Sequence, residues 1–255
     1  MQPQLKLSEG KPSEYLLLNE ATAAVASHGQ MQKAAELMQR SSRASDALGF
    51  KETTADTQAS FALMQAEVGN TAKAKALADS SAALAHDRLN MEPVAVALAM
   101  TGEGKRAQAI VDDLGRRFPD DTIVHQVNIP VVRALVELDG KAPEKAIEAL
   151  QPTTPYELGS AQGLLPIYIR GQAYLQAKRG TEAVQEFQKI VDHRGVAPTF
   201  PEHSLAKLGL GRAYRMTGDT AKARAAYQDF FALWKDADPD VPILKEARAE
   251  YAKLQ

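Results

Sequence analysis

Near the C-terminal end of this 255-residue chain, five residues recur in fixed register forty positions apart. Gly171, Tyr174, Ala183, Phe187 and Ile190 return as Gly211, Tyr214, Ala223, Tyr227 and Phe230. A unit of this length buries its apolar face only against the next copy, so such a chain grows along one axis and lacks a central core. The spacings inside the unit are helical. Each tyrosine lies three residues after its glycine, on nearly the same helix face, and each aromatic lies four after its alanine. A glycine inside a helix costs about 1 kcal/mol against alanine. Its return at 171 and 211 therefore predicts a close helix crossing, covered by Tyr174 or Tyr214 and filled by Phe187 or Tyr227 from the following helix.

The same turn-then-alanine signal runs through the rest of the chain. Gly29 precedes Ala34, Gly69 precedes Ala74, Gly102 precedes Ala107, Gly140 precedes Ala146, Gly180 precedes Ala183 and Gly218 precedes Ala223. These glycines fit a left-handed residue closing the first helix of each pair, which gives six pairs. Composition agrees: aromatics are 6% of residues, alanine supplies much of the 45% apolar fraction, and β-branched runs are scarce. Phe118-Pro119-Asp120-Asp121 ends the third pair, because proline cannot continue a helix. Pro130 falls inside a helix expected over 123–138 and should kink or break it. Two proline-bearing insertions, 151–165 and 193–203, interrupt the period and should loop out between pairs. The stretch 241–254 reads as one amphipathic helix, with Leu244, Ala247, Tyr251 and Leu254 inward.

Leu210-Gly211-x-x-Tyr214 followed by Ala223-x-x-x-Tyr227 resembles the tetratricopeptide repeat. Pro155-Tyr156-Glu157-Leu158-Gly159, Arg170-Gly171-x-Ala173-Tyr174-Leu175 and the stretch 218–254 resemble the C-terminal repeat arrays of bacterial, acidobacterial-type eukaryotic-like serine/threonine kinases. The expected fold is an all-α, right-handed superhelical solenoid of about six tetratricopeptide-like helix pairs plus a C-terminal capping helix. Its expected parts are a polar tail or linker over 1–13, the array over 14–240 and the cap over 241–255. The resemblance implies a non-catalytic scaffold that binds a protein or peptide segment in its concave groove. It also implies a place in a larger bacterial signalling protein, with a kinase or DNA-binding domain upstream.

Motifs that would carry catalysis fail residue by residue. Ala142-Pro143-Glu144 spells one kinase tripeptide, but the glycine-rich loop, His-Arg-Asp and Asp-Phe-Gly are missing. In Gly102-Glu103-Gly104-Lys105 the first glycine is misplaced, and Arg106 stands where a phosphate loop needs serine or threonine. Asp236, Asp238 and Asp240 alternate like the start of a calcium loop. Val241 replaces its glycine and Ala247 its bidentate glutamate, so the segment reads as a connector whose last aspartate caps the final helix. The five histidines, His28, His86, His125, His193 and His203, form no two-histidine helical zinc spacing, and cysteine is absent. No enzyme activity, cofactor or metal is expected.

A formal net charge of −2 argues against a nucleic-acid partner. No apolar run approaches a membrane span, and 1–13 lacks the apolar core of a signal peptide. The compartment stays open between the cytoplasm, for the sequence as it stands, and the periplasm, if the chain is a piece of a membrane-anchored protein. By helical phase, Tyr168, Gln172, Arg212 and Arg215 should line the inner groove of the last two pairs, where arginine and tyrosine suit an extended or acidic peptide. The alternative is a small-molecule sensor in which the loops 151–165 and 193–203 lid a pocket against Tyr156, Tyr168 and His203.

Overall fold

The computed structural model describes residues 2–159 and 163–254; part of the first insertion, 160–162, lies outside the described residues. Among the described residues the chain is helical and has no strand. After α1 (Gln2–Ser8), six antiparallel pairs follow: α2 (Glu14–Ala26) with α3 (Met31–Ala47), α4 (Lys51–Glu67) with α5 (Thr71–Leu84), and α6 (Arg88–Met100) with α7 (Gly104–Arg117). Then come α8 (Ile129–Asp139) with α9 (Pro143–Ala149), α10 (Leu164–Gln176) with α11 (Gly180–Asp192), and α12 (Glu202–Met216) with α13 (Thr220–Leu233). The last helix is α14 (Pro242–Ala252). Each helix packs on its sequence neighbours, making a helical-repeat solenoid. The segment 1–13, read as a tail, contains α1, which packs on α2. No helix among the described residues is long and apolar enough to cross a membrane.

The alanine signal marks the packing seam. Ala34, Ala74, Ala107, Ala146, Ala183 and Ala223 are all fully buried, each on the second helix of its pair. The crossings fall where the glycines put them. A Cβ built on Gly171 would lie 2.7 Å from the Phe187 ring, and one on Gly211 would lie 2.8 Å from Tyr227. Tyr174 and Tyr214 turn their rings instead toward Arg179 and Lys222 at the start of the next helix, at 4.8 and 5.5 Å. Gly211→Leu is therefore expected to destabilise the array by about 1–3 kcal/mol through overpacking, read as a lower urea midpoint. An unchanged midpoint would mean that the α12–α13 crossing is not this tight.

Two local expectations are revised. Gly29, Gly69, Gly102 and Gly218 do adopt positive φ, but at the fourth and fifth pairs the left-handed residues are Lys141 and Lys178, not Gly140 and Gly180. Pro130 does not break its helix. A π-helical turn, Val124–Asn128, precedes it, and Ile129 N–H reaches back five residues to Val124 O. The wider turn takes up the register where proline has no N–H to offer the ladder.

The two ends of the array meet. Trp234 Nε1 and Ser204 Oγ both donate to Ser27 O, at 3.0 and 2.9 Å, satisfying a carbonyl at the end of α2. Asp238 N–H donates to Gly29 O at 3.0 Å, and Ile243 N–H donates to Val68 O at 3.3 Å. Gly29 serves twice here: it turns at φ 74° and it leaves room for Trp234 and Ala237, which a Cβ would approach to 2.7 Å. The 236–240 connector thus caps a different helix from the one expected. Asp238 Oδ2 accepts from Gln32 N–H at 2.7 Å at the start of α3, whereas α14 has no side-chain cap. One apolar cluster accordingly joins the first two pairs to the last two, with Phe61, Met64, Tyr168, Phe187, Trp234 and Leu244 among its members. A second cluster fills the middle pairs.

Candidate functional site

The last turns of α4, α6 and α8 come together with the middle of α10 and the start of α14 around one recess. Small residues near the ends of α4 and α6, Ala66 and Ala99, leave space there. Leu135 and Leu138 from α8, Tyr168 and Gln172 from α10, and Ile243 and Glu246 from α14 complete a cavity of about 360 Å³. Tyr168 is 6% exposed; its ring packs on Phe187 at 5.9 Å and its hydroxyl accepts from Gln172 Nε2 at 2.8 Å. Burial raises the pKa of that phenol, which stays protonated.

Of the four residues expected in the groove, the structure brings Tyr168 and Gln172 to this cavity. Arg212 is engaged by the chain's own last helix. Its Nε donates to Glu250 Oε2 at 2.9 Å, and a terminal nitrogen lies 3.4 Å from Glu246. Tyr227 donates its hydroxyl proton to the same Glu250 oxygen at 2.7 Å. Burial works against the Glu250 charge, but Arg212 and Tyr227 hold its carboxyl below the ordinary range. Arg215 is exposed and outside the cavity. The helix expected only to cap the array therefore lies across the inner face.

The cavity wall also contains a residue that helical phase did not single out. Glu67, in the last turn of α4, is 8% exposed, and its Oε1 is buried without a hydrogen-bond partner. Glu202, at the start of α12, is 1% exposed with Oε2 in the same condition. Burial raises both carboxyls, and Glu202 adds repulsion to Glu67; Glu202 is pushed up to about 7, although a backbone N–H partly offsets the rise. A hint lay in the sequence: a glutamate just before a helix-closing glycine opposes the helix dipole. Both groups favour the proton in the folded chain, so their contribution is complete below the ordinary carboxylate range. The Glu202 share is lost as pH rises through about 7, and the Glu67 share is lost in the same direction. For Glu202, stability is expected to fall between about pH 5 and 7, at most by about 1.4 kcal/mol per pH unit. Glu202→Gln should flatten this slope in melts across that range. The same slope in that variant would assign the loss to other groups, such as Glu92, which burial pushes up to about 7.

A second cavity, of about 430 Å³, lies under the 193–203 loop, between Pro198, Phe200 and His203 on one side and Ser27, Lys207 and Leu233 on the other. His203 Nε2 is 2.7 Å from Val196 O, and His193 Nδ1 is 2.7 Å from Lys189 O, so each ring is held by a backbone carbonyl. Tyr156, Tyr168 and His203 do not share one pocket: Tyr156 packs on the middle core, and the other two line separate cavities. The first insertion is tied down by buried Arg170, which reaches Glu157, Glu186 and Thr153. Among the described residues no three acidic or histidine side chains group as a metal site. Comparison with protein-family models and with curated proteins finds no match.

Proposed function

We propose that the chain is a non-catalytic binding module of the tetratricopeptide type, which holds a protein or peptide segment at its inner face. The observation that carries this is the cavity of about 360 Å³ where four pairs and α14 converge, within the ~300–1,000 Å³ range of ligand pockets. Because α14 lies across the inner face, the bound element is a short anchor, one side chain or chain end inserted beside Tyr168 and Gln172. The kinase-like stretches 155–159, 170–175 and 218–254 support placing the module in a larger bacterial signalling protein; the coding sequence upstream of Met1 tests that placement. A random peptide library panned on the chain should enrich ligands with a shared anchor residue. Gln172→Trp fills the cavity from a half-buried position. It should abolish their binding in a chain that still folds, at some cost in melting temperature because Tyr168 loses its hydrogen-bond donor. Ligands that bind this variant as well as the parent would overturn the reading.

The pocket under the 193–203 loop favours a second reading, small-molecule sensing, since Pro198, Phe200 and His203 supply one wall of a recess of ligand size. A ligand-induced rise in melting temperature that survives Gln172→Trp and disappears in Phe200→Ala would select it.

A further inference from the structure

We propose that the inner cavity is an ammonium site, taking a charged amine on an apolar stem with Glu67 as its counter-ion; this rests on the binding reading above and names the group that is bound. The charged residues of the cavity wall are Glu67, Asp139 and Glu246, all acidic. Arg212, whose charge reaches Tyr168, is committed to Glu250 and Glu246. A wall of this sign repels a carboxylate or phosphate. The remaining surface suits an alkyl stem: Met100, Leu138 and Ile243 stand around it.

Glu67 gives the site its direction. Its buried Oε1 lacks a donor, and leaving a buried acceptor unmade is unfavourable. A compact ammonium brings three N–H donors on a flexible stem, and an alkylamine, like lysine at about 10.4, stays charged at neutral pH. The groups facing Glu67 are Glu202, which repels its charge, and Tyr168; Glu246, Asp139 and the paired Arg212 stand farther round the cavity. Without a bound cation, burial and the Glu202 charge favour the protonated form of Glu67. Arrival of the cation favours the carboxylate, so binding of the amine releases protons to solvent.

Calorimetric titration of the whole chain with hexylamine, hexanol and hexanoate at pH 6 and pH 8 tests this. Hexylammonium should bind with proton release, and more tightly at pH 8, by up to about tenfold per pH unit for one linked proton. Hexanol and hexanoate should bind at least about tenfold more weakly. Glu67→Gln keeps the shape of the protonated side chain and should lose the pH dependence and at least about tenfold in affinity. Its melting temperature reports whether it has folded, and the three-ligand comparison needs no variant. A short peptide with one free lysine should compete, and its ε-acetylated form should not, if the amine is a partner's side chain. Competition by free amines alone identifies a small molecule as the source. Equal binding of hexanol or hexanoate, no binding of hexylamine, or an unaffected Glu67→Gln variant overturns the site. Library ligands that fail on Gln172→Trp yet have no basic group would overturn it and leave the binding module standing.

Discussion

Arg170→Met should lower the stability of the array by about 3–5 kcal/mol, because it strips the cation from two buried carboxylates at once. Arg170 is 4% exposed. One terminal nitrogen donates to Glu186 Oε2 at 2.8 Å, and the other contacts Glu157 and donates to Thr153 Oγ1 at 3.0 Å and Leu150 O at 3.3 Å. Glu186 keeps Lys189 on its outer side, but Glu157 has no second basic partner among the described ion pairs. For a chain of this size the loss corresponds to roughly 6–20 °C in melting temperature. The cost comes from isolating the acids rather than from the worth of the triad itself. The triple variant Arg170→Met, Glu157→Leu, Glu186→Leu should therefore recover most of the stability. Limited proteolysis should cut the 151–159 segment faster in the single variant than in the parent or the triple variant. A single variant within about 1 kcal/mol of the parent would show that the triad is not buried as described.

That triad also decides what the first insertion can do. A lid needs few fixed contacts, whereas Gln151–Tyr156 forms a 3₁₀ turn, and Thr153 and Glu157 are held by Arg170 of α10, which in turn pairs with Glu186 of α11. The 193–203 loop differs, since its side chains border two cavities and Phe200 lines both. The 193–203 loop is therefore the insertion on which a test of small-molecule sensing should start.

The pair count and the seam were legible because they depend on local rules. A small residue is needed wherever two helices touch, and a left-handed residue wherever a helix closes, so glycine and alanine mark the period even where other identity has faded. The two misread turns, at Lys141 and Lys178, show the limit of that rule: a lysine can adopt φ near 60° when the surrounding helices hold it there. Closure of the array was not legible in the same way. It depends on the summed rotation of six pairs, and no single residue encodes a sum. Its traces, Gly29 under Trp234 and Asp238 capping α3, make sense only once the two ends are side by side. Arg212 shows the consequence: helical phase offers it to a partner, but in the folded chain it is already paired with Glu246 and Glu250 of α14.

Phe187→Ala is expected to cost about 3–5 kcal/mol as the ring leaves a cavity between α10, α11 and α12. The ring lies between two helical glycines. A Cβ on Gly171 would approach it to 2.7 Å and one on Gly209 to 2.6 Å, and Tyr168 packs on it at 5.9 Å. This geometry predicts a change of sign. In the parent, Gly171→Ala and Gly209→Ala should each destabilise, because the added methyl meets a ring held by two backbones and has nowhere to go. In the Phe187→Ala background the same changes should stabilise by about 1 kcal/mol each, since alanine is the better helix former and the methyl enters vacated space. Equilibrium unfolding of the four variants in each double-mutant cycle measures this coupling. Additive effects in both cycles would mean that Phe187 does not wedge the two first helices apart. Sign reversal would make the ring the spacer that sets their separation, and with it the position of Tyr168 at the cavity wall. Phe187→Ala should then weaken binding at the inner cavity even at temperatures where the variant remains fully folded, an effect that a purely structural role at a distance would not produce.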